Sequence, residues 1–314
     1  MEITLLGWKY IYKPEASCLK DQFQIIPKRK KMQPKNLYKF YPLNGFSVDA
    51  LLNQYLYASC PFELNDPLDC MNVLIDYSLV YEIYKQDQDR KGANVVSSQE
   101  FNKVQSLKLY GNMGIISLSK NVKNLQMWAH YASNYQGFAV KFNVVELRSN
   151  PELIGPFPIN YKEEWLPICL EDEKEGKYGF LYQTNIKSIQ WKPEDEWRFI
   201  GVRENMSIPS IQMQKECIQN RKFDYNLSFI EEVVLGPMFI LGLSPEDSTT
   251  DNIKLKIDLH DQKSIYKHYI LNFLIKNKIK VSWFEHTPTL NFEFNTRSVE
   301  ITQESELVFN MALK

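Results

Sequence analysis

The sequence lacks the short motifs that most often mark nucleotide-binding and hydrolytic enzymes. It contains no G-x-x-x-x-G-K-[ST] phosphate loop and no G-x-G-x-x-G segment after a strand, which argues against P-loop and Rossmann-type sites. The nucleophile elbow G-x-S-x-G and the zinc motif H-E-x-x-H are also absent. If the chain is an enzyme, its chemistry must come from a less regular arrangement of residues.

Residues that hold metals or form disulfides are few and scattered. The 4 histidines are spread along the chain, and the 5 cysteines include no C-x-x-C pair. This pattern argues against a zinc ribbon, a di-iron centre and a disulfide framework. We therefore expect no metal, and we expect reduced thiols of the kind found in cytosolic proteins.

Long apolar runs and a strong charge of one sign are missing as well. No stretch approaches the ~20 apolar residues of a membrane span, and Met1-Glu2 does not begin a signal peptide, so we expect a cytoplasmic protein without a membrane partner. The net charge is −1, which argues against a dedicated nucleic-acid or membrane-surface protein. The one dense basic cluster, Lys28-Arg29-Lys30-Lys31, is interpreted as a solvated linker.

The hydrophobic pattern mixes strands and helices without a regular β-α-β repeat, which predicts an α+β fold with a single mixed-sheet domain. Residues 1–36 are predicted to be a partly mobile N-terminal extension, and residues 37–314 the domain. Helices are predicted from Ser47, within 76–110, at Asn124–Ser133 and at Asp261–Lys276. Residues 163–187 are predicted to be loop and helix. The predicted strands are Leu37–Tyr41, Tyr55–Ser59, Met113–Ser119, Gly137–Asn143, Pro156–Lys162, Glu194–Arg203, Phe229–Pro237, Lys280–His286 and Thr289–Asn295.

Two early segments could carry polar groups into a pocket. On the strand L-Y-K-F-Y, Tyr38 and Lys39 face opposite sides, so this is either a half-solvated strand or a place where a tyrosine hydroxyl holds a ribose or an amide. After Ser59, the Asn65-Asp66-Pro67 sequence either only shapes a turn or aims an amide and a carboxylate from a rigid loop.

The segment Q-M-W-A-H-Y-A places Trp128 and Tyr131 on one face of a short helix and His130 on another. One interpretation is a core helix with an exposed histidine. The other is a stacking platform, in which the two rings hold a planar group such as nicotinamide or a base.

In W-K-P-E-D-E-W-R, strand alternation puts Glu194, Glu196 and Arg198 on one side. Such a row is either a solvated ladder of ion pairs or a catalytic row in which Glu196 is partly desolvated and has a perturbed pKa.

The order of these segments carries a family resemblance. From L-Y-K-F through Y-A-S-C-P-F-E-L-N-D-P-L-D, G-I-I-S-L-S, M-W-A-H-Y-A-S-N-Y-Q-G-F-A-V-K-F and W-K-P-E-D-E-W-R-F-I to E-E-V-V-L-G-P, the chain closely resembles the bacterial family known as domain of unknown function 2971. The resemblance runs from about residue 37 to residue 236. It implies a role in bacterial anti-phage defence, because members often sit among defence genes.

A looser resemblance, to ADP-ribosyltransferase folds, implies that NAD binds as a co-substrate in a cleft. It would assign the adenosine or phosphate end to Lys39, the nicotinamide ribose to Tyr131 or Ser59, and catalysis to Glu196. The H-x-T and R-x-S-x-E arrangements of those enzymes are absent here.

Three functions follow as hypotheses. The favoured one is an NAD-consuming enzyme, a toxin or effector that transfers ADP-ribose to a protein, a nucleic acid or water. It assigns the nucleotide contacts to ten residues, the carboxylate Glu196 included. The others are Tyr38, Lys39, Ser59, Asn65, Asp66, Trp128, His130, Tyr131 and Arg198. The alternatives are a metal-dependent nuclease that uses Asp66, Asp69, Glu194 and Glu196, and a non-catalytic nucleotide-sensing module with a basic arm for a partner.

Overall fold

The computed structural model describes residues 2–17, 19–28, 33–70, 72–170, 176–208, 215–240, 244–245, 252–286 and 294–314. The helices of these residues are α1 (Leu19–Gln22), α2 (Gly45–Leu52), α3 (Ser78–Lys91), α4 (Ser98–Tyr110), α5 (Leu125–Tyr131), α6 (Val144–Leu147), α7 (Gly176–Asn185), α8 (Lys215–Asn220) and α9 (Gln262–Lys276). The strands are β1 (Glu2–Leu5), β2 (Trp8–Tyr12), β3 (Phe23–Ile26), β4 (Asn36–Tyr41), β5 (Tyr55–Tyr57), β6 (Ile75–Asp76), β7 (Met113–Ser119), β8 (Phe138–Asn143), β9 (Leu153–Pro158), β10 (Asn160–Lys162), β11 (Ile168–Cys169), β12 (Ile186–Ser188), β13 (Glu196–Val202), β14 (Lys222–Asp224), β15 (Ile230–Leu235), β16 (Ser244–Pro245), β17 (Asn252–Lys256), β18 (Val281–His286), β19 (Phe294–Ser305) and β20 (Val308–Leu313).

The chain divides into two compact units, neither of which is continuous in sequence. The first unit comprises residues 1–33, 57–117 and 148–223, and the second comprises residues 34–56, 118–147 and 224–314. Helices and a mixed sheet occur together, so the α+β prediction is confirmed. None of the helices in the described ranges has the length and apolar character needed to cross a membrane.

The second unit is built on a mixed sheet in the order β16-β17-β20-β19-β18-β15-β8-β4, with the end of β7 beside β4. Strand β15 runs parallel to β18 and antiparallel to β8. Strand β4 lies antiparallel to β8, with Tyr38 opposite Lys141. Tyr38 and Lys39 therefore lie on β4, which is held in this sheet by its pairing with β8.

The first unit contains smaller sheets. Strands β1, β2 and β3 form an antiparallel sheet, β10 pairs with β12, β11 pairs with β6, and β13 lies between β7 and β9. Strand β13, which carries Glu196 and Arg198, is therefore the middle strand of β7, β13 and β9. The prediction that these two residues lie on a strand is confirmed, and the strand begins at Glu196 rather than at Glu194.

The predicted N-terminal extension is wrong for residues 2–12 and 23–26. These residues form β1, β2 and β3, and the side chains of Trp8, Tyr10 and Phe23 are buried in the hydrophobic core of the first unit. Alternating aromatic residues in W-K-Y-I-Y place one side of β2 in that core. The prolines and the basic run had hidden this pattern, and Arg29, Lys30 and Lys31 lie outside the described residues.

Helix boundaries follow the capping residues that the sequence shows. The side chain of Asn124 accepts a hydrogen bond from the backbone of Gln126 at the start of α5. Asp261 does the same for α9, where it accepts from Ser264 at 2.9 Å. The predicted helices Asn124–Ser133 and Asp261–Lys276 are therefore confirmed within a few residues at their ends.

The remaining predictions differ in detail. The strand predicted at Pro156–Lys162 is two strands, β9 and β10, and the segment 163–187 contains the short strand β11 before α7. Most of the strand predicted at Thr289–Asn295 falls outside the described residues, which resume with β19 at Phe294.

Candidate functional site

A turn after β5 places two carboxylates of the N-D-P-L-D segment. Asp66 Oδ1 accepts a hydrogen bond from the Leu68 backbone at 2.9 Å, and the Asp66 carbonyl accepts one from the Asp69 backbone at 3.0 Å. Aspartate before proline favours such turns because its side chain caps the backbone two residues later. The turn interpretation is confirmed, and it also sends Asp69 into the interior of the first unit.

Asp69 is held there by Arg198 of β13. The two side chains form a bidentate pair, in which Arg198 Nη1 donates to Asp69 Oδ1 at 2.9 Å and Nη2 donates to Oδ2. Nη1 also donates to the Thr184 carbonyl at 2.8 Å. Bidentate arginine–carboxylate pairs are stronger than neutral hydrogen bonds. Arg198 therefore links the turn, α7 and β13.

Glu196 and Lys187 extend this pair into a cluster. Arg198 Nε donates to Glu196 Oε1 at 2.7 Å, and Lys187 Nζ donates to Glu196 Oε2 at 3.0 Å and to Glu194 Oε2 at 2.6 Å. Lys187 Nζ also lies 3.6 Å from Asp69 Oδ2. We call Asp69, Lys187, Glu194, Glu196 and Arg198 the ion cluster.

The local backbone explains why Glu194 joins this cluster. Residues Ile189–Glu194 form a 3-10 helix, and Asp195 at its end has a φ of 43°. This left-handed residue turns the chain between Glu194 and β13, so both glutamates meet Lys187. The sequence prediction that Glu194, Glu196 and Arg198 share one side is confirmed, although a turn rather than strand alternation brings Glu194 there.

The ion cluster is buried, and its charges stabilise one another. Burial alone would raise the pKa of Glu196, but the charges of Arg198 and Lys187 outweigh this effect and hold that pKa well below its ordinary value. Burial likewise opposes the charge of Lys187, but Glu196 and other carboxylates raise its pKa. Loss of one partner would leave a buried charge without compensation.

This pairing bears on the catalytic role predicted for Glu196. Both of its carboxylate oxygens accept hydrogen bonds from Arg198 or Lys187, and its backbone N–H donates to the Tyr161 hydroxyl at 2.9 Å. A carboxylate engaged in this way does not present a free oxygen to a ligand. This geometry favours a role for Glu196 in positioning Arg198 and Lys187, and its catalytic role stays a prediction.

A pocket of about 280 Å³ lies beside Asp69. The residues lining it are Pro61, Phe62, Leu64, Asp66, Pro67, Asp69, Cys70 and Tyr110. We call it the Asp66 pocket. Its volume is near the lower end of the ~300–1,000 Å³ typical of small-molecule sites.

Asp66 is the exceptional residue of this pocket. Its side chain is almost fully buried, with the residue 5% exposed, yet Oδ2 accepts no hydrogen bond from any described residue. A buried polar atom without a partner costs free energy and calls for an explanation, of which a ligand is one. Asp66 is thus the predicted site residue whose geometry most favours contact with a ligand.

Aromatic and sulfur groups complete the wall of the Asp66 pocket. The rings of Phe62 and Tyr110 meet edge to face with centroids 4.9 Å apart, and the Tyr110 hydroxyl donates to the Cys70 carbonyl at 2.8 Å. Burial, followed by the charge of Asp69, raises the pKa of the Cys70 thiol well above its ordinary value. Cys70 is therefore a poor nucleophile in this setting.

Ser59 and Asn65 belong to the same unit but have other surroundings. Ser59 pairs with Ile115 through two backbone hydrogen bonds, and its side chain is half-buried. Asn65 is exposed. Neither is among the described residues that line the Asp66 pocket.

The stacking platform predicted at Trp128 is wrong. Trp128 has 0% exposure, and its ring is stacked on Phe284 with centroids 5.0 Å apart. Phe40 packs edge-on against the same ring, and the indole N–H donates to the Val122 carbonyl at 2.7 Å. The rings of Phe40 and Phe284 therefore pack on Trp128 where the stacking interpretation would put a ligand ring.

The neighbours of Trp128 follow the plainer interpretation of this helix. Tyr131 is half-buried and packs against the same hydrophobic cluster. His130 is exposed, as predicted, and its ring lies 6.4 Å from that of Tyr131 in an edge arrangement. We call the buried rings of Phe40, Trp128 and Phe284 the aromatic cluster.

Tyr38 and Lys39 lie half-buried on β4 of the second unit. Burial, followed by the charges of Glu232 and Glu231, raises the pKa of Tyr38. Glu232 in turn lies 3.7 Å from Lys141 Nζ. Lys141, which lies opposite Tyr38, also lies 3.5 Å from Glu231, so the cation opposite Tyr38 in the sheet is paired with carboxylates.

The structure thus brings together only part of the predicted site. Asp66, Glu196 and Arg198 meet through Asp69 in the first unit. Tyr38, Lys39, Trp128, His130 and Tyr131 belong to the second unit. Sequence reasoning missed Lys187, Phe62 and Tyr110 as site residues, because no local pattern marks them.

Comparison with known proteins identifies one matching family. Residues 127–199 match the family described as "Protein of unknown function (DUF2971)". No curated protein matches the chain, and neither does any solved structure. The matched segment contains Lys187, Glu194, Glu196 and Arg198 but neither Asp66 nor Asp69, and the description of the family names no activity.

Proposed function

We propose that the first unit binds a pyridinium nucleotide such as NAD in the Asp66 pocket and cleaves its N-glycosidic bond. The observation that carries this proposal is the buried Oδ2 atom of Asp66, which accepts no hydrogen bond from the described residues and belongs to a residue lining the pocket. Such an atom fits a group that develops positive charge during a reaction.

The chemistry needs little besides a well-placed carboxylate. The bond between the ribose C1′ and the pyridinium nitrogen breaks, and nicotinamide leaves as a neutral molecule with the electron pair of that bond. The ribose gains oxocarbenium character, which a nearby carboxylate stabilises. Water or a hydroxyl or amine of a macromolecule then adds to C1′ and releases a proton. Asp66 is the candidate for the stabilising carboxylate.

The ion cluster has a supporting role in this proposal. Asp69 also lines the Asp66 pocket, and its two oxygens are fixed by Arg198. Glu196 and Lys187 fix Arg198 and Asp69 in turn. Because paired charges hold their geometry, the pocket keeps its shape before the ligand arrives.

The nuclease alternative is less well supported. A hard cation would need carboxylate oxygens that are open to it. Of the carboxylates named for that purpose, Asp69, Glu194 and Glu196 are engaged by Arg198 or Lys187. Only Asp66 retains an oxygen without a hydrogen bond among the described residues.

Release of nicotinamide tests the proposal. The purified full chain is incubated with NAD, with and without an acceptor lysate, and free nicotinamide is measured by chromatography. Asp66→Asn is expected to lower the rate by about 100-fold or more, as for loss of one stabilising group. Asp89→Asn, at an exposed position of α3, is the matched control and should keep the wild-type rate.

Two outcomes would contradict this proposal. A chain that neither binds nor consumes NAD would remove it entirely. Binding without turnover, unchanged over hours and with every acceptor tried, would favour the non-catalytic nucleotide-sensing module. The role in phage defence, which rests on the family resemblance, stays a separate prediction.

A further inference from the structure

We propose that the Asp66 pocket selects the cationic pyridinium nucleoside itself and makes no contact with the phosphates of a nucleotide. This inference rests on the proposed function for the ligand class, and it adds which part of the ligand is recognised. It predicts that nicotinamide riboside, which has no phosphate, is sufficient for binding.

The charges around the Asp66 pocket favour a cation. Asp66 and Asp69 are its charged lining residues, and the described residues that line it include no lysine or arginine. The ion cluster behind Asp69 contains three carboxylates and two cationic side chains. With Asp66 added, the formal charge of the region is negative. A positively charged ligand is therefore attracted, and a phosphate is repelled.

The nearest buried cations are directed at other groups. Arg198 donates to Asp69, Glu196 and the Thr184 carbonyl. Arg221 is fully buried and donates to backbone carbonyls, among them those of Met113 at 3.0 Å and Tyr110 at 2.8 Å. Neither side chain lines the pocket, so neither offers the forked contact with which arginine binds a phosphate.

The aromatic wall fits a cationic ring. Phe62 is 48% exposed although it lines the pocket, so part of its ring is open to solvent. A cation over an aromatic face is attracted by the electrons of the ring, and this attraction grows as the cation is desolvated. The edge contact with buried Tyr110 fixes the orientation of Phe62. The structure thus combines the Asp66 carboxylate with an aromatic face in a region of negative formal charge, which is a suitable setting for a pyridinium ring.

The size of the pocket agrees with this assignment. A volume of about 280 Å³ suits one ring with its sugar rather than a whole dinucleotide. The pyrophosphate and adenosine of NAD would then remain outside the Asp66 pocket.

A pair of ligands with the same shape and different charge tests the proposal. The full chain is titrated in the cold with nicotinamide riboside, with its uncharged 1,4-dihydro form and with nicotinamide mononucleotide, and ligand integrity is checked by chromatography. The oxidised riboside is expected to bind at least about tenfold more tightly than the dihydro form, which corresponds to ~1.4 kcal/mol. The mononucleotide should bind no more tightly than the riboside.

Variants locate the preference. Asp66→Asn should reduce the difference between the two ribosides to less than about threefold. Phe62→Leu should weaken binding of the oxidised form more than that of the dihydro form. Asp89→Asn should leave all affinities unchanged. Circular dichroism shows whether Asp66→Asn is folded, and Phe62→Leu provides a test that does not alter the turn.

The outcomes separate this inference from the proposed function. Equal affinity for the two ribosides, no binding of either, or a mononucleotide that binds more than about tenfold more tightly than the riboside would overturn the inference. A clear preference for the cation without any nicotinamide release would uphold it and contradict the proposed cleavage. Nicotinamide release without a preference for the cation would support the proposed cleavage and contradict this inference.

Discussion

The ion cluster of the first unit and the aromatic cluster of the second unit are both buried, but they are stabilised in different ways. Trp128 packs against Phe40 and Phe284 and needs one hydrogen-bond acceptor, the Val122 carbonyl. Arg198 instead depends on Asp69 and Glu196, and each of these depends on Arg198 in return. Apolar burial adds up from independent contacts, whereas buried charges are stable only as a set.

This difference also separates function from packing. The aromatic cluster fills its own interior and leaves no ring face of Trp128 exposed. The ion cluster adjoins the Asp66 pocket through Asp69, and Asp66 beside it keeps one oxygen without a hydrogen bond among the described residues. A buried carboxylate oxygen without a hydrogen bond beside a pocket is the kind of feature at which proteins give up stability for binding.

The largest effect is expected from Arg198→Met, which leaves Asp69 and Glu196 buried without their partner. The free energy of unfolding should fall by about 3–5 kcal/mol. Urea denaturation followed by tryptophan fluorescence measures it. Lys91→Met is the control, because Lys91 pairs with Asp87 on α3 where both side chains are exposed, and its loss should be ~1 kcal/mol or less. Similar losses in both variants would contradict the dependence of the ion cluster on its pairing.

The next effect concerns pH. The folded-state pKa of Glu196 lies below its ordinary value of 4.5. Its contribution to stability is therefore present above that value and is lost as the pH falls toward the folded-state pKa. The wild type should lose ~1 kcal/mol or more between about pH 5 and about pH 3 through this group, in addition to the effect of other carboxylates.

Two variants test whether Glu196 causes that pH dependence of stability. Glu196→Gln should be less stable at neutral pH and should show a smaller further loss on acidification. Trp128→Phe weakens the aromatic cluster without removing an ionisable group, so it should keep the wild-type pH dependence. Identical pH profiles for the wild type and Glu196→Gln would contradict the lowered pKa.

The smallest effect is expected from Asp66→Asn. The amide oxygen can still accept the hydrogen bond from Leu68, and an uncharged NH2 group replaces the buried carboxylate oxygen that has no partner. The free energy of unfolding should stay the same or rise by about 0.5–1 kcal/mol, even though the preference for the cationic ligand is lost. Asp69→Asn is the contrast, because it weakens the bidentate pair with Arg198 and should lower the free energy of unfolding, whereas Asp66→Asn should not. Equal losses in the two variants would indicate that Asp66 is only structural.

Part of this site could be predicted from the sequence. The turn at Asn65-Asp66-Pro67 and the row of Glu196 and Arg198 depend on residues within a short segment, so their patterns are readable. The sequence could not decide whether Trp128 is a core residue or part of a stacking platform for a ligand. The rings that cover it, Phe40 and Phe284, come from distant segments of the chain. The N-terminal strands were missed because the prolines and lysines around them resemble a linker.

By itself, the sequence determined the local elements of this protein: the α+β class, the capped starts of α5 and α9, the turn at Asp66 and the strand that carries Glu196 and Arg198. These features follow from backbone and neighbour interactions within a few residues. Only the tertiary structure decided which charges meet, because Arg198 and Asp69 are separated by 129 positions in the chain. That pairing engages both oxygens of Glu196 and leaves Asp66 Oδ2 buried without a hydrogen bond among the described residues.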